Sequence, residues 1–114
     1  MLAEIQKCNY NYGVDAIRFE WDERKNRANL RKHGVSFELA RRVFLDPMRF
    51  SFLERVVDGE ERWQTFGVVN GVLLLMVAYL WWDEAEGTDS IEVVRIISAR
   101  KVTAMERRDY EEGS

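Results

Sequence analysis

The sequence predicts an α+β fold in which an antiparallel sheet of about four strands carries two N-terminal helices on one face and is followed by a C-terminal helix. Two segments with helical capping residues come early in the chain, and several apolar strand-like segments follow them. An Asn-Gly pair joins two of those strands, and the last strand leads directly into a cationic helix. Helices and strands thus occupy separate runs, which is typical of the α+β class.

A short strand and a helix are the first predicted elements. Residues 17 to 21 alternate apolar and polar side chains, the pattern of a half-buried strand. Asp22 is a suitable N-cap for a helix that runs to about His33, and Gly34 can end that helix in the left-handed conformation. Residues 1 to 16 show no clear pattern, so we treat them as an N-terminal extension of unknown role and residues 17 to 114 as one domain.

A second helix is predicted from a cap at Ser36 to about Leu45, where Asp46-Pro47 stops it because proline cannot continue the hydrogen-bond ladder. Its buried stripe is predicted to consist of Phe37, Ala40, Val43 and Phe44.

Beyond this helix the apolar pattern changes to the period of strands. Strands are predicted over residues 48 to 53, 62 to 69 and 72 to 82, with an acidic loop over residues 54 to 61. Asn70-Gly71 predicts a type I′ hairpin with Val69 opposite Val72. This register would place Arg62 opposite Tyr79 on the more open face of the sheet. The face toward the helices would carry Trp63, Thr65, Leu74, Met76, Ala78 and Leu80.

The last strand is predicted over residues 91 to 97, after an acidic loop, and antiparallel to the long strand of residues 72 to 82. Arg95 interrupts this β-branched segment and would share a face with Val93 and Ile97. Thr103 and Glu106 have the spacing of a capping box and predict the start of the C-terminal helix.

Positive charge is concentrated in two windows of a chain that is acidic overall. The formal net charge of the 114 residues is −3, yet 12 of the 17 lysines and arginines lie in residues 24 to 42 and 93 to 110. General binding to polyanions is therefore disfavoured, whereas a local cationic site is favoured. A single cysteine and no signal-peptide pattern predict a cytoplasmic protein, and the longest apolar run of eleven residues is too short to span a membrane.

Arginine-based phosphate chemistry is what the residue inventory permits. One histidine and one cysteine cannot build a Cys/His zinc site, and no phosphate-binding glycine motif is present, so neither a metal nor a nucleotide cofactor is indicated. Guanidinium groups can hold a scissile phosphate while an RNA 2′-hydroxyl attacks it. Arg95 and Arg100 are the strongest candidates for this role. The proton acceptor stays open among His33, Glu61 and Glu106.

Three segments, residues 19–44, 58–63 and 94–113, together resemble the BrnT family of bacterial toxins. The specific features are Trp21-Asp22 followed by Lys25, Asn29 and the sequence KHGV, and later the sequence RIISAR followed by Glu106 and Tyr110. The resemblance implies a RelE-like fold and a toxin of a type II toxin–antitoxin system that cleaves RNA without a metal and inhibits translation. It also implies a BrnA-like ribbon-helix-helix antitoxin, a 2:2 heterotetramer, and contact with operator DNA through the antitoxin alone.

Carried over residue by residue, the resemblance implies an RNA site with two groups of residues. The catalytic group comprises Lys25, His33, Arg62, Arg95 and Arg100. The RNA-binding group comprises Lys32, Lys101 and Arg107 at the periphery, which could also contact the antitoxin. The hairpin register, not the resemblance, adds Tyr79 to this group, because it places Tyr79 beside Arg62.

Two other function classes compete with this interpretation. A non-catalytic subunit could use its basic face to bind an acidic protein partner. A sequence-specific DNA-binding module is weaker, because the net charge is negative and no helix carries convergent base-reading residues.

Overall fold

The computed structural model of the chain describes residues 5–12 and 15–112. The elements follow in the order β1 (Ile5–Tyr12), β2 (Asp15–Asp22), α1 (Glu23–His33), α2 (Phe37–Ala40), a 3-10 helix (Arg41–Leu45), β3 (Phe50–Val57), β4 (Glu60–Val69), β5 (Leu73–Glu86), β6 (Asp89–Lys101) and α3 (Ala104–Glu111).

The described strands form one mixed sheet in the order β1-β2-β6-β5-β4-β3, in which β2 and β6 run parallel and the other neighbours run antiparallel. The α+β class is therefore confirmed, but the prediction of about four antiparallel strands was wrong in number and in the direction of one pair. Local sequence patterns cannot predict the β2–β6 pair, because its two strands are separated by most of the chain. The strand β1 and the first two residues of β2 lie within residues 1 to 16, for which the sequence predicts no element.

Helix α1 has the predicted ends but not an apolar stripe. The Asp22 carboxylate accepts a hydrogen bond from the Arg24 N–H at 2.9 Å, and Gly34 ends the helix at a φ of 71°. Its buried residues are Asn26 and Asn29. Asn29 donates to the carbonyls of Val35 and Ala99, both at 2.8 Å, and accepts from the Ala99 N–H at 3.2 Å. Ala99 lies beyond the last residue of β6 that pairs with β2, so its backbone N–H and C=O on that side have no strand partner. The Asn29 side chain supplies their hydrogen bonds.

The second predicted helix is divided into α2 and the 3-10 helix, and Ser36 caps it as expected, with the Leu39 N–H donating to the hydroxyl at 3.1 Å. Its predicted stripe is buried against one face of the sheet, which we call the covered face. Phe44 packs with ring centroids 5.3 Å from Phe19 and 5.0 Å from Tyr79. A Cβ on Gly67 of β4 would lie 2.6 Å from Val43 Cγ1, so this position requires glycine.

The β4–β5 hairpin differs from its prediction by one residue. Asn70 and Gly71 adopt the expected positive φ angles of 55° and 73°. However, Val69 pairs with Leu73, and Val72 remains in the loop with its side chain exposed. Arg62 therefore lies opposite Leu80 rather than Tyr79.

This shift places Tyr79 on the covered face. Trp63 and Thr65 belong to that face as predicted, whereas Leu74, Met76, Ala78 and Leu80 point to the opposite side, which we call the far face. Every residue from position 74 to 80 is buried. A central strand that is apolar on both faces gives no alternation from which a register could be predicted.

The β5–β6 hairpin extends further than predicted, because the acidic segment expected to be a loop continues both strands to a Glu86–Asp89 pair. The antiparallel pairing of these strands is confirmed. Arg95 shares the far face with Val93, but Ile97 lies at a register shift between the Tyr79–Ile96 and Ala78–Ser98 pairs.

The C-terminal helix α3 begins with the predicted capping box of Thr103 and Glu106. The Tyr110 hydroxyl donates to the Asp46 carboxylate at 2.8 Å, and this bond ties the helix to the end of the 3-10 helix. Asp46 also accepts from the Met48 and Val68 N–H groups at 2.9 and 2.8 Å. Although burial opposes the change, these bonds lower the pKa of Asp46. Within the described residues, no helix is both long and apolar enough to cross a bilayer.

Candidate active site

Two of the predicted arginines lie on one line across the far face. Arg62 of β4 is paired with Leu80 of β5, Leu80 with Arg95 of β6, and Arg95 with Glu20 of β2. We call these four residues the arginine row. Two strand spacings separate the backbones of Arg62 and Arg95, roughly 10 Å, so both guanidinium groups can reach one phosphodiester segment between them.

Arg95 is held in place by a carboxylate that is almost completely buried. Its Nε donates to Glu20 Oε2 at 2.7 Å, and its Nη2 donates to the same oxygen. The Glu20 side chain is 3% exposed, whereas that of Arg95 is 38% exposed. Arg18 lies 3.6 Å from the other Glu20 oxygen and is also paired with Glu84. The Arg95 guanidinium is thus oriented by its neighbour on β2, and it remains partly exposed to solvent.

Arg62 has no such counterion among the described side chains. Its Nε is buried and has no hydrogen-bond partner there. The residue directly opposite on β3 is Arg55, a second cation whose contact with Glu54 is 3.9 Å long and exposed. Like charges in paired positions destabilise a sheet, and a bound anion would offset that cost. The arrangement therefore favours an anionic ligand at Arg62.

A cavity of about 600 Å³ lies beside Arg95, between β5 and the turn that joins β3 to β4. Its lining includes Leu80, Trp82 and Arg95, with Glu60 and Glu61 on the side of the turn. Arg95 and Leu80 of the arginine row line this cavity, and Arg62 lies outside the lining, opposite Leu80. Among the described residues, no group of three or more His, Cys, Asp and Glu side chains is arranged to hold a metal ion.

Arg100 is engaged with the C-terminal helix. Its two terminal nitrogens each donate to a carboxylate oxygen of Glu106 at 2.8 Å, a bidentate pair. The bond to Arg100 is the main reason why the pKa of Glu106 falls from 4.5 to about 2. The same bond raises the pKa of Arg100. This pair joins β6 to α3, so Arg100 is less available to phosphate than Arg62.

The expected position of Tyr79 beside Arg62 was wrong. Tyr79 is 6% exposed, packs edge-on against Phe44 on the covered face, and has a pKa raised by burial. The one-residue difference in the hairpin register explains this, because such a shift moves every side chain to the other face.

The remaining predicted cations are not brought to the arginine row. Lys25, Lys32 and His33 belong to α1, which packs against β2, β6 and α2, and the structure shows no contact between them and Arg62 or Arg95. Lys101 is exposed at the end of β6. Arg107 is exposed on α3 with Glu111 at 3.8 Å.

Sequence reasoning missed Arg18, Glu20 and Trp82 at this site. Arg18 and Glu20 were visible as the polar positions of the alternating segment 17 to 21, but only the β2–β6 pairing brings them to Arg95. The apolar pattern predicts Trp82 only as the last residue of a strand, just before the acidic residues.

Comparisons with known proteins identify the family. A search of curated proteins finds no match. Among solved structures, the chain is similar to the ribonuclease toxin BrnT of Brucella abortus, known from a 1.1 Å crystal structure. The identity is 25% and the TM-score 0.47, over 73% of this chain and 92% of that chain. The family model described as "Ribonuclease toxin, BrnT, of type II toxin-antitoxin system" matches residues 21–106. Because this match spans well over half of the sequence, the predicted membership is confirmed: the chain belongs to the BrnT family of ribonuclease toxins.

Proposed function

We propose that this protein is a metal-independent endoribonuclease toxin whose arginine row holds the scissile phosphate. The observation that carries the proposal is the juxtaposition of Arg62, which lacks a counterion among the described side chains, with Arg95, which Glu20 orients. Family membership supplies the ribonuclease class and the toxin–antitoxin context. The row supplies two positive charges on the far face, opposite the aromatic cluster that packs against the 3-10 helix.

The proposed reaction is attack of an RNA 2′-hydroxyl on its own neighbouring phosphate. The 2′-oxygen forms a bond to phosphorus, the 5′-oxygen leaves with a proton, and a 2′,3′-cyclic phosphate results. Charge accumulates on the non-bridging oxygens during this transfer, and arginines placed on either side of them stabilise it. Holding the sugar and phosphate in line supplies a further part of the acceleration.

The geometry favours Glu61 over Glu106 as the proton acceptor. Glu61 lines the cavity next to Arg95, although its carboxylate accepts at 3.4 Å from Nε1 of Trp63, a residue of the covered face. Glu106 is occupied by Arg100, and its pKa of about 2 makes it a poor base. His33, at the end of α1, has no contact with the row within the described residues.

Type II systems pair a toxin with an antitoxin, and RNA is the substrate of a ribonuclease toxin. We propose a BrnA-like ribbon-helix-helix antitoxin, a 2:2 assembly, and operator contact through the antitoxin alone. Cleavage of RNA in the cytoplasm would inhibit translation and growth until the antitoxin binds.

The test is cleavage of an unstructured RNA in EDTA by the wild type and by Arg62→Ala and Arg95→Ala. We expect each variant to lose about 100-fold or more in rate, because removing one donor that stabilises transition-state charge typically costs this much. Arg31→Ala removes an exposed arginine of α1 and should cleave at the wild-type rate. Circular dichroism and thermal unfolding confirm that each variant is folded.

Two results would contradict the proposal in different ways. If folded Arg62→Ala and Arg95→Ala variants cleave as fast as the wild type, the arginine row is not the catalytic site. A wild type that binds a protein partner tightly, yet neither cleaves RNA nor arrests growth, would favour the non-catalytic binding subunit instead.

A further inference from the structure

One of the four tryptophans differs from the others in its hydrogen bonding. The indole N–H groups of Trp21, Trp63 and Trp81 donate to Glu23, Glu61 and Glu92 at 3.2, 3.4 and 2.6 Å. Trp82 has no corresponding bond to any described residue, and its side chain is partly exposed. A large aromatic side chain with a free donor on an accessible face is typical of a ligand contact rather than of a core position.

Trp82 lies next to the arginine row on the same face. It stands two residues after Leu80 on β5, and the Arg95 guanidinium carbon is 5.7 Å from its ring centroid. Both side chains line the cavity of about 600 Å³. This volume falls within the range of roughly 300 to 1,000 Å³ that is typical of small-ligand pockets. A flat ligand in the cavity would meet an indole plane and a guanidinium group, the two surfaces on which proteins stack unpaired bases.

The charges around the cavity orient a nucleotide. Arg95 lines the cavity on the side of β6, where it attracts phosphate, whereas Glu60 and Glu61 line it on the side of the turn. Arg62 lies outside the lining, opposite Leu80 in the arginine row. The two carboxylates would repel phosphate and can accept hydrogen bonds from the amino and imino groups of a base. The backbone is therefore directed to the arginine row and the base into the cavity.

We infer that the cavity beside Arg95 is a base-binding subsite for single-stranded RNA, in which Trp82 stacks on the base next to the scissile phosphate. This inference rests on the proposed function and adds a requirement to it, because a base paired in a duplex could not enter the cavity. Unpaired RNA is then the preferred substrate.

The experiment measures binding of a short 2′-O-methyl oligonucleotide, which cannot undergo attack by the 2′-hydroxyl. A second oligonucleotide of the same length lacks one base at the position of strongest contact, found by moving the abasic site along the strand. Both are titrated against the wild type, Trp82→Ala and Trp82→Phe. Loss of stacking on one base should weaken binding of the intact oligonucleotide to Trp82→Ala about 5- to 100-fold, with Trp82→Phe retaining most of the affinity.

The abasic oligonucleotide separates stacking from a purely structural role for Trp82. If Trp82 stacks on the missing base, the wild type and Trp82→Ala should bind this oligonucleotide with equal affinity. An equal loss for both oligonucleotides would mean that Trp82 only positions Arg95, and it would overturn the inference. Unchanged binding of the intact oligonucleotide to Trp82→Ala would also overturn it.

Failure of the proposed function gives a different pattern. Absence of RNA cleavage by the wild type, together with the predicted base-dependent binding, would refute the ribonuclease reaction and leave the subsite supported. Cleavage that depends on Arg62 and Arg95 but not on Trp82, at limiting RNA concentration, would keep the function and refute the subsite.

Discussion

The two faces of the sheet are built by alternate residues of the same strands, yet they carry different side chains. The covered face holds an aromatic cluster of Phe19, Phe44 and Tyr79 beneath the helices. The far face holds the arginine row and Trp82. This difference shows how a small domain can separate stability from function, because neighbouring residues in a strand serve different purposes. Substitutions on one face should therefore leave the property of the other face intact.

The largest effect is expected on the covered face. Phe44→Ala removes a 7% exposed ring that packs against Phe19 and Tyr79, and it leaves a cavity. The free energy of unfolding should fall by about 3 to 5 kcal/mol, measured by urea denaturation. The neighbouring side chain of Leu45 is 55% exposed, so Leu45→Ala is a matched control that should cost less than about 0.5 kcal/mol.

The same pair of variants tests the separation of the two faces. RNA cleavage per folded molecule of Phe44→Ala should equal that of the wild type at a temperature where the variant is folded. A large loss of activity in the folded variant would show that the far face depends on packing beneath it, and the comparison would fail.

An intermediate effect is expected from Glu20, which lies on the far face but is buried. Glu20→Gln keeps the shape of the side chain and removes the charge that Arg95 and Arg18 contact. We expect a loss of about 2 kcal/mol in unfolding free energy, as for a hydrogen bond to a charged group. Cleavage should also slow, because Arg95 loses its orientation. Glu38→Gln, at an exposed position of α2, is the control.

Glu20 is therefore expected to be an exception to the separation of the two faces, because it contributes both to stability and to cleavage. If Glu20→Gln lowered stability but left cleavage unchanged, the buried carboxylate would serve the sheet alone, and Arg95 would not need it for orientation.

The smallest effect is a pH dependence at Glu106. Its pKa is about 2 in the folded chain and 4.5 in the reference state, with the bond to Arg100 as the first cause. A lowered pKa contributes stability that is present above pH 4.5 and is lost as pH falls toward about 2. After allowance for solvent screening we expect about 1 to 2 kcal/mol.

Comparison with Glu106→Gln isolates this contribution. The wild type should exceed the variant in unfolding free energy near pH 6, and the gap should close as the pH falls through that window. A gap that stays constant with pH would show that the Arg100–Glu106 pair contributes nothing through ionisation.

Local signals predicted the helical ends and turns well. The caps at Asp22, Ser36 and Thr103 and the positive φ angles at Asn70 and Gly71 follow from interactions within a few residues. The turn at Asp58-Gly59, where both residues also have positive φ, carried the same hairpin signal within a segment that we read as a loop.

The sequence by itself determined the fold class, the N-terminal caps of the helices and the family. It also identified Arg62 and Arg95 as candidates for the phosphate site. Only the tertiary structure decided the face on which each side chain lies and the counterion that each arginine has. Two physical reasons explain the division. A strand buried on both faces, such as β5, carries no alternation to specify its register. The pair of Glu20 and Arg95 joins residues 75 positions apart, and only the folded sheet brings them together so that Glu20 orients one of the two arginines of the arginine row.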